Sequence, residues 1–203
     1  MDAQPGPSVP PRRGWPRSLV LLGLVLAVAA TAVMVAKHTS VAPIPPTPPP
    51  NGTGGAPPVG RPAPDFSLPA FTGGALALHN LRGRPVVLNF WASWCAPCRE
   101  EMPMLVRVHK VYAPRGVEFV GINAEDEAAD ARRFLDQYHV DYPVVRSVDD
   151  RVIDAYAVPG LPTTIFIGAD GIVVDKVVGG FTGPAGERLL AARLDRLLAR
   201  RHR

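Results

Sequence analysis

The sequence predicts an α/β domain over residues 59–203, with a central mixed sheet flanked by helices and a short hairpin in front. A single membrane-spanning segment and a proline-rich linker precede it. Three observations carry this prediction. Arg84 to Trp91 reads RPVVLNFW and is largely apolar on both faces, as in a central parallel strand. Helical and β-rich stretches alternate after it, in the order β-α-β-α and then β-β-α. Proline and charge are divided unevenly along the chain. Fifteen of the 24 prolines lie in residues 1–64. Residues 1–58 carry four Lys/Arg against one Asp, and residues 59–203 carry eighteen against seventeen acids. The domain therefore lacks the basic footprint of a nucleic-acid-binding fold, and its size suits a single core.

The leader divides into three parts. Residues 1–17 are polar, broken by proline, and carry Arg12, Arg13 and Arg17. Residues 18–36, SLVLLGLVLAVAATAVMVA, hold no charge. As a helix they would span about 28 Å, close to a hydrocarbon core of about 30 Å. A buried core helix is the soluble alternative, but such helices are usually shorter. Three arginines before the segment against Lys37 after it predict a cytoplasmic N-terminus and an extracytoplasmic domain. The apolar stretch exceeds the usual signal-peptide core, which favours an uncleaved anchor; small residues near Ala29 to Ala32 leave cleavage open. Arg12-Arg13 followed by Gly14, Trp15 and Pro16 is a poor twin-arginine signal. Residues 37–58 form the linker. Its proline runs favour polyproline II, which makes it a tether or a plain spacer.

The domain's elements follow in order. Phe66–Leu68 and Ala75–Leu78 predict the small front hairpin, and Arg84–Trp91 the central strand. A helix runs from Ala96 to about Tyr112, with Met102, Leu105, Val108 and Tyr112 at spacings of three and four. Pro103 should kink it. Val117–Ile122 is a second buried strand. Glu125, Asp126 and Glu127 open a helix to about Tyr138, with Ala128, Ala131, Leu135 and Tyr138 inward. Thr163–Ile167 and Ile172–Val178 form a hairpin through Asp170-Gly171. Thr182 and Pro184 start the last helix, with Leu190, Leu194, Leu197 and Leu198 inward and Arg200, Arg201 and Arg203 at its end.

The two cysteines, Cys95 and Cys98, fall in one C-x-x-C between the central strand and the first long helix. A helix N-terminus presents unpaired N–H groups and a positive dipole end, which stabilise a thiolate. Sites of this kind have lowered thiol pKa values. Pro97 suits the first helical turn. Cys95, at the corner, is expected to be the exposed nucleophile, and Cys98 the resolving thiol one turn inside. Thiolate attack on a substrate disulfide would give a mixed disulfide on Cys95, which Cys98 breaks. A structural disulfide would close only a tiny loop and stabilise little. A metal site would need further ligands, and His38, His79, His109, His139 and His202 form no pair with ligand spacing. The reading therefore needs no metal and no cofactor beyond a redox-active disulfide.

Residues 60–203 resemble the thioredoxin superfamily, specifically its membrane-anchored TlpA/ResA/CcmG-like thiol–disulfide oxidoreductases. The matching residues are Ala63-Pro64-Asp65-Phe66, VVLNFWASWCAPCREEMP from Val86 to Pro103, and LPTTIFI from Leu161 to Ile167. The resemblance implies a thioredoxin-like fold. It aligns Pro162 with the family's cis-proline, where Leu161, Pro162 and Trp94 would bind extended substrate; an ordinary trans proline before a strand is the alternative. It places Trp91 beneath the site and makes Pro103 the helix-kink proline. Asn89 stands where cytoplasmic thioredoxins carry a buried Asp, and Asn cannot titrate. Glu101 matches a glutamate of the ResA-like branch implicated in proton transfer to the thiols; a solvent-facing acid, as Glu100 is read to be, is the alternative. Glu125 and Glu127 gain no role.

The resemblance also implies a reductant in an oxidising compartment of a bacterial cell membrane, kept reduced by a membrane donor of the CcdA/DsbD type. Its clients would be disulfides of apocytochrome c haem-binding sites or thiols of copper-site assembly proteins. A copper metallochaperone, a tethered binding module and a peroxiredoxin-like peroxidase are rivals. The peroxidase would want a Pro-x-x-x-Thr-x-x-Cys setting, which is absent around Cys95.

Overall fold

A computed structural model describes residues 59–200. The readings for the N-terminal tail, the apolar segment 18–36, the linker 37–58 and residues 201–203 lie outside the described residues. Among the described residues no helix is long and apolar enough to cross a membrane.

The front hairpin is β1 (Ser67–Pro69) paired antiparallel with β2 (Ala75–Ala77). The central strand β3 (Val86–Trp91) leads into α1 (Ala96–Tyr112), then β4 (Glu118–Asn123) and α2 (Ala128–Tyr138). Next come β5 (Val144–Arg146), the short α3 (Arg151–Ala155), β6 (Thr163–Ile167), β7 (Val173–Val178) and α4 (Gly183–Arg200). The sheet order is β5-β4-β3-β6-β7, with β3, β4 and β5 mutually parallel and β6 and β7 antiparallel. This is a thioredoxin-like mixed sheet flanked by helices.

Every residue of β3 is buried, because the strand is central and covered on both faces. Val87 and Trp91 pack into one layer with Met102 and Leu105 of α1, Phe134 of α2 and Leu190 and Leu194 of α4. Val86, Leu88 and Phe90 pack into the other with Phe66, Leu81, Val152 and Tyr156. The front hairpin also blunts the β5 edge: Ala70 bridges Val145, and the Phe71 N–H donates to the Val144 carbonyl at 3.0 Å.

Several expectations need correction. The strand β5 and the helix α3 were not expected; three and five residues are too few to show a period. The acids Glu125, Asp126 and Glu127 precede α2 rather than forming its first turn, where only Asp130 stands. The inward face of α2 includes Phe134, which stacks on Trp91 with ring centroids 4.5 Å apart. The first long helix, by contrast, runs from Ala96 to Tyr112 as expected, with Pro103 inside it offering no N–H to the preceding turn.

Candidate active site

The site is built where β3 ends and α1 begins. Ala92 to Trp94 form the connecting turn, closed by a Cys95 N–H bond to the Ala92 carbonyl at 3.3 Å. Cys95 caps α1, and its sulfur accepts from the Cys98 N–H at 3.3 Å. Cys95 and Cys98 are joined as a disulfide across the first helical turn, their Cα atoms 5.3 Å apart. Pro97 stands in that turn, where its missing N–H costs nothing. Cys98 is fully buried. Cys95 is only 4% exposed, so the expectation of an exposed nucleophile is corrected for the disulfide form. Its sulfur is drawn back against the helix by the bond to Cys98 and the Cys98 N–H. Ala96 and Pro97, beside it, are exposed.

The Leu161–Pro162 peptide bond is cis, as the resemblance implies. Pro162 is buried just before β6, and its carbonyl accepts from the Gly179 N–H at 2.8 Å. Leu161 is half-buried and packs against the cluster that holds Cys95 and Cys98. Gly180 sits in the middle of these parts. A Cβ there would lie 3.2 Å from the Pro97 carbonyl oxygen, 3.5 Å from Glu101 Oε2 and 3.7 Å from Pro162 Cγ. A side chain at this position would crowd the Pro97 carbonyl and stand in contact with the other two groups.

Glu101 is fully buried, and Glu100 is exposed. On α1 it falls one turn after Cys98, on the stripe shared with Met102 and Leu105. Its Oε1 accepts from Asn89 Nδ2 at 2.8 Å and its Oε2 from the Phe181 N–H at 2.9 Å. Burial pushes its carboxyl up to about 7, against the pull of those two donors, which favour the ionised form. Asn89 also donates to Thr164 Oγ1 at 3.2 Å, because the two residues are directly opposed across the β3–β6 ladder.

Trp94 is 57% exposed, and its indole N–H donates to the Glu125 carbonyl at 2.8 Å. Glu125 holds a left-handed backbone, φ 52°, that presents this carbonyl. Next to it, Asp126 accepts from the Ser93 N–H at 2.6 Å, the Ser93 hydroxyl at 2.8 Å and Asn123 Nδ2 at 2.9 Å. The β4–α2 turn thus braces the turn that carries Cys95. Sequence reasoning missed this brace, since partners 31 and 33 residues apart leave no periodic signal. Trp91 is fully buried. A cavity of about 340 Å³ opens at the other end of the sheet, by Val86, Arg84 and Ile167, away from the disulfide. Among the described residues no group of three or more His, Cys, Asp or Glu is placed to hold a metal ion.

Taken together, a cysteine pair at a helix N-terminus, a cis-proline and a buried acid can exchange two electrons with a disulfide and handle a proton beside it. The AhpC/TSA family model matches residues 59–176. The chain is 40% identical over 123 residues to the thiol-disulfide oxidoreductase ResA of Bacillus subtilis, covering 61% of this chain and 69% of that protein. A thiol:disulfide interchange protein of the thioredoxin family from Chlorobium tepidum aligns with TM-score 0.61 and 30% identity, over 68% of this chain and 97% of that one. A secreted Mycobacterium tuberculosis disulfide oxidoreductase homologous to E. coli DsbE aligns with TM-score 0.59 and 27% identity, over 65% and 96%.

Proposed function

Since the chain belongs to the AhpC/TSA family, and within it to the ResA-type thiol-disulfide oxidoreductases, we propose that it works as a membrane-tethered reductant of client disulfides outside the cytoplasm. The observation that carries this reading is the Cys95–Cys98 disulfide in the first turn of α1, with cis Pro162 and buried Glu101 gathered around Gly180.

In the reduced enzyme the Cys95 thiolate attacks one sulfur of a client disulfide. A mixed disulfide forms on Cys95, and the first client thiolate leaves. Cys98 then attacks the Cys95 sulfur, which releases the second client thiolate and closes the Cys95–Cys98 disulfide. Two electrons pass to the client. Glu101, one turn from Cys98, takes the Cys98 proton as that thiol becomes the attacking thiolate. Trp94, Leu161 and Pro162 hold the client segment. A membrane donor of the CcdA/DsbD type returns the electrons. The arginines before residues 18–36 support an anchor with a cytoplasmic N-terminus, and the linker 37–58 supports reach toward clients near the membrane. The clients are disulfides of apocytochrome c haem-binding sites or disulfides formed by the thiols of copper-site assembly proteins.

A Cys98→Ser chain tests the reading. It leaves the mixed disulfide on Cys95 unresolved, so clients accumulate covalently in cells. Recovery of an apocytochrome supports the maturation role, and recovery of no covalent partner overturns the mechanism.

A further inference from the structure

Asn89 Oδ1 is buried in β3 and has no hydrogen-bond partner among the described residues, although its amide nitrogen makes two bonds. The residue is 3% exposed. A buried amide with an idle acceptor is unusual, because unpaired buried polar atoms are costly. The cause lies in what the amide faces. With Glu101 ionised, Nδ2 is the useful end, donating to Glu101 Oε1 and to Thr164 Oγ1.

Protonation of Glu101 reverses the requirement. Both of its oxygens face N–H donors, from Asn89 and from Phe181. A proton on the Oε1 lone pair that Nδ2 now occupies would set donor against donor. A half-turn of the Asn89 amide puts Oδ1 in that place. The Glu101 O–H then donates to Oδ1. The Thr164 hydroxyl, which accepts from Nδ2 when Glu101 is ionised, can donate to the same oxygen. One end of the amide stays unpaired in either orientation, so neither orientation is locked by a full set of bonds. Neither Asn89 nor Thr164 changes charge.

We propose that Asn89, backed by Thr164, is a positioning residue whose side-chain amide reverses with the protonation of Glu101, and so sets the pH at which that acid takes up and releases its proton. This rests on the reading of Glu101 as the proton partner of Cys98. The other groups facing Glu101 are Cys98 on its own helix, the Phe181 N–H, and Tyr142, whose phenol is held well above its usual range by burial and then by the Glu101 charge. Of the two groups that hydrogen-bond the carboxyl, Asn89 offers both a donor and an acceptor, whereas the Phe181 N–H can only donate; the Tyr142 hydroxyl is engaged with Met102 Sδ at 3.1 Å. An aspartate at this position would add a second buried acid; a leucine would remove both functions.

The test uses the purified full-length chain in its disulfide form, labelled with carbon-13 at glutamate side-chain carboxyls and nitrogen-15 at asparagine amides. Glu101→Gln identifies the Glu101 signal by its disappearance. In the unaltered chain the Asn89 side-chain amide signals should shift with pH at the same midpoint as Glu101, and that shift should vanish in Glu101→Gln. Asn89→Leu removes a donor to the ionised carboxylate, so the Glu101 midpoint should rise by about one pH unit. Asn89 amide signals that do not follow Glu101, or a midpoint unchanged in Asn89→Leu, overturn the proposal. A Glu101→Gln enzyme whose exchange rate keeps the unaltered pH profile instead overturns the proton-partner reading itself, so the two failures are distinguishable.

Discussion

The backbone N–H of Phe181 donates to Glu101 Oε2 at 2.9 Å, joining residues 80 apart in the chain. The segment that leads into α4 therefore closes over an acid one turn beyond the disulfide. Asn89 holds the other oxygen from β3. The carboxyl is gripped by two neutral donors and buried from water. Burial is the larger effect, so the acid is poised near neutrality, about 7. A buried acid with that poise can lend or take a proton at working pH, whereas an exposed glutamate cannot.

The same poise makes stability depend on pH. The folded-state value of about 7 lies above the ordinary 4.5. Such a group favours the fold fully below the ordinary value, and that benefit is lost as pH rises through about 7. Relative to Glu101→Gln, which cannot ionise, the oxidised protein should lose roughly 2–3 kcal/mol between pH 5 and pH 9. Denaturant unfolding of both proteins at the two pH values measures this. Parallel curves would mean that Glu101 does not titrate between them.

Cys95→Ser should lower the rate of disulfide exchange by at least about a thousandfold, since a serine hydroxyl is no thiolate and forms no mixed disulfide. Turnover of a model disulfide at pH 7 is the check. Equal rates in the two proteins would remove Cys95 as the nucleophile.

Asp126→Ala should destabilise the oxidised protein by about 2 kcal/mol, because the Ser93 N–H and Asn123 Nδ2 lose their acceptor. Exchange should also slow, since the turn before Cys95 loses its brace. Asp126→Asn keeps one acceptor oxygen and should recover part of both losses. The midpoint of urea unfolding and the exchange rate of the two variants, compared side by side, decide it.

The long elements were legible because they carry a period or a run. The largely apolar Val86–Trp91 and the stripe from Met102 to Tyr112 gave β3 and α1 within two residues. Asp170-Gly171 gave the β6–β7 hairpin. The cysteine pair was legible because its spacing and its place before a helix are local. Val144–Arg146 was not, since a three-residue strand gains its identity only from pairing with β4. The burial of Glu101 left a readable sign: it falls on the apolar stripe between Cys98 and Met102, unlike Glu100. The pairings of Asn89 with Thr164 and of Ser93 with Asp126 left none, because sheet register and loop packing bring them together across 75 and 33 residues.

Gly180→Val tests how tightly the site is closed. Even a Cβ would stand 3.2 Å from the Pro97 carbonyl oxygen, and that oxygen is backbone, which yields little. The branched side chain must therefore push the Gly180–Phe181 segment outward. The Phe181 N–H then draws away from Glu101 Oε2. That bond favours the ionised carboxylate, so its loss should move the Glu101 midpoint above about 7. Overpacking should also cost about 1–3 kcal/mol of stability. Gly180→Ala should show both effects in smaller measure. Carboxyl titration and unfolding of the two variants give the comparison, and a stability loss with no movement of the midpoint would mean that the segment yields elsewhere and leaves the Phe181–Glu101 bond intact.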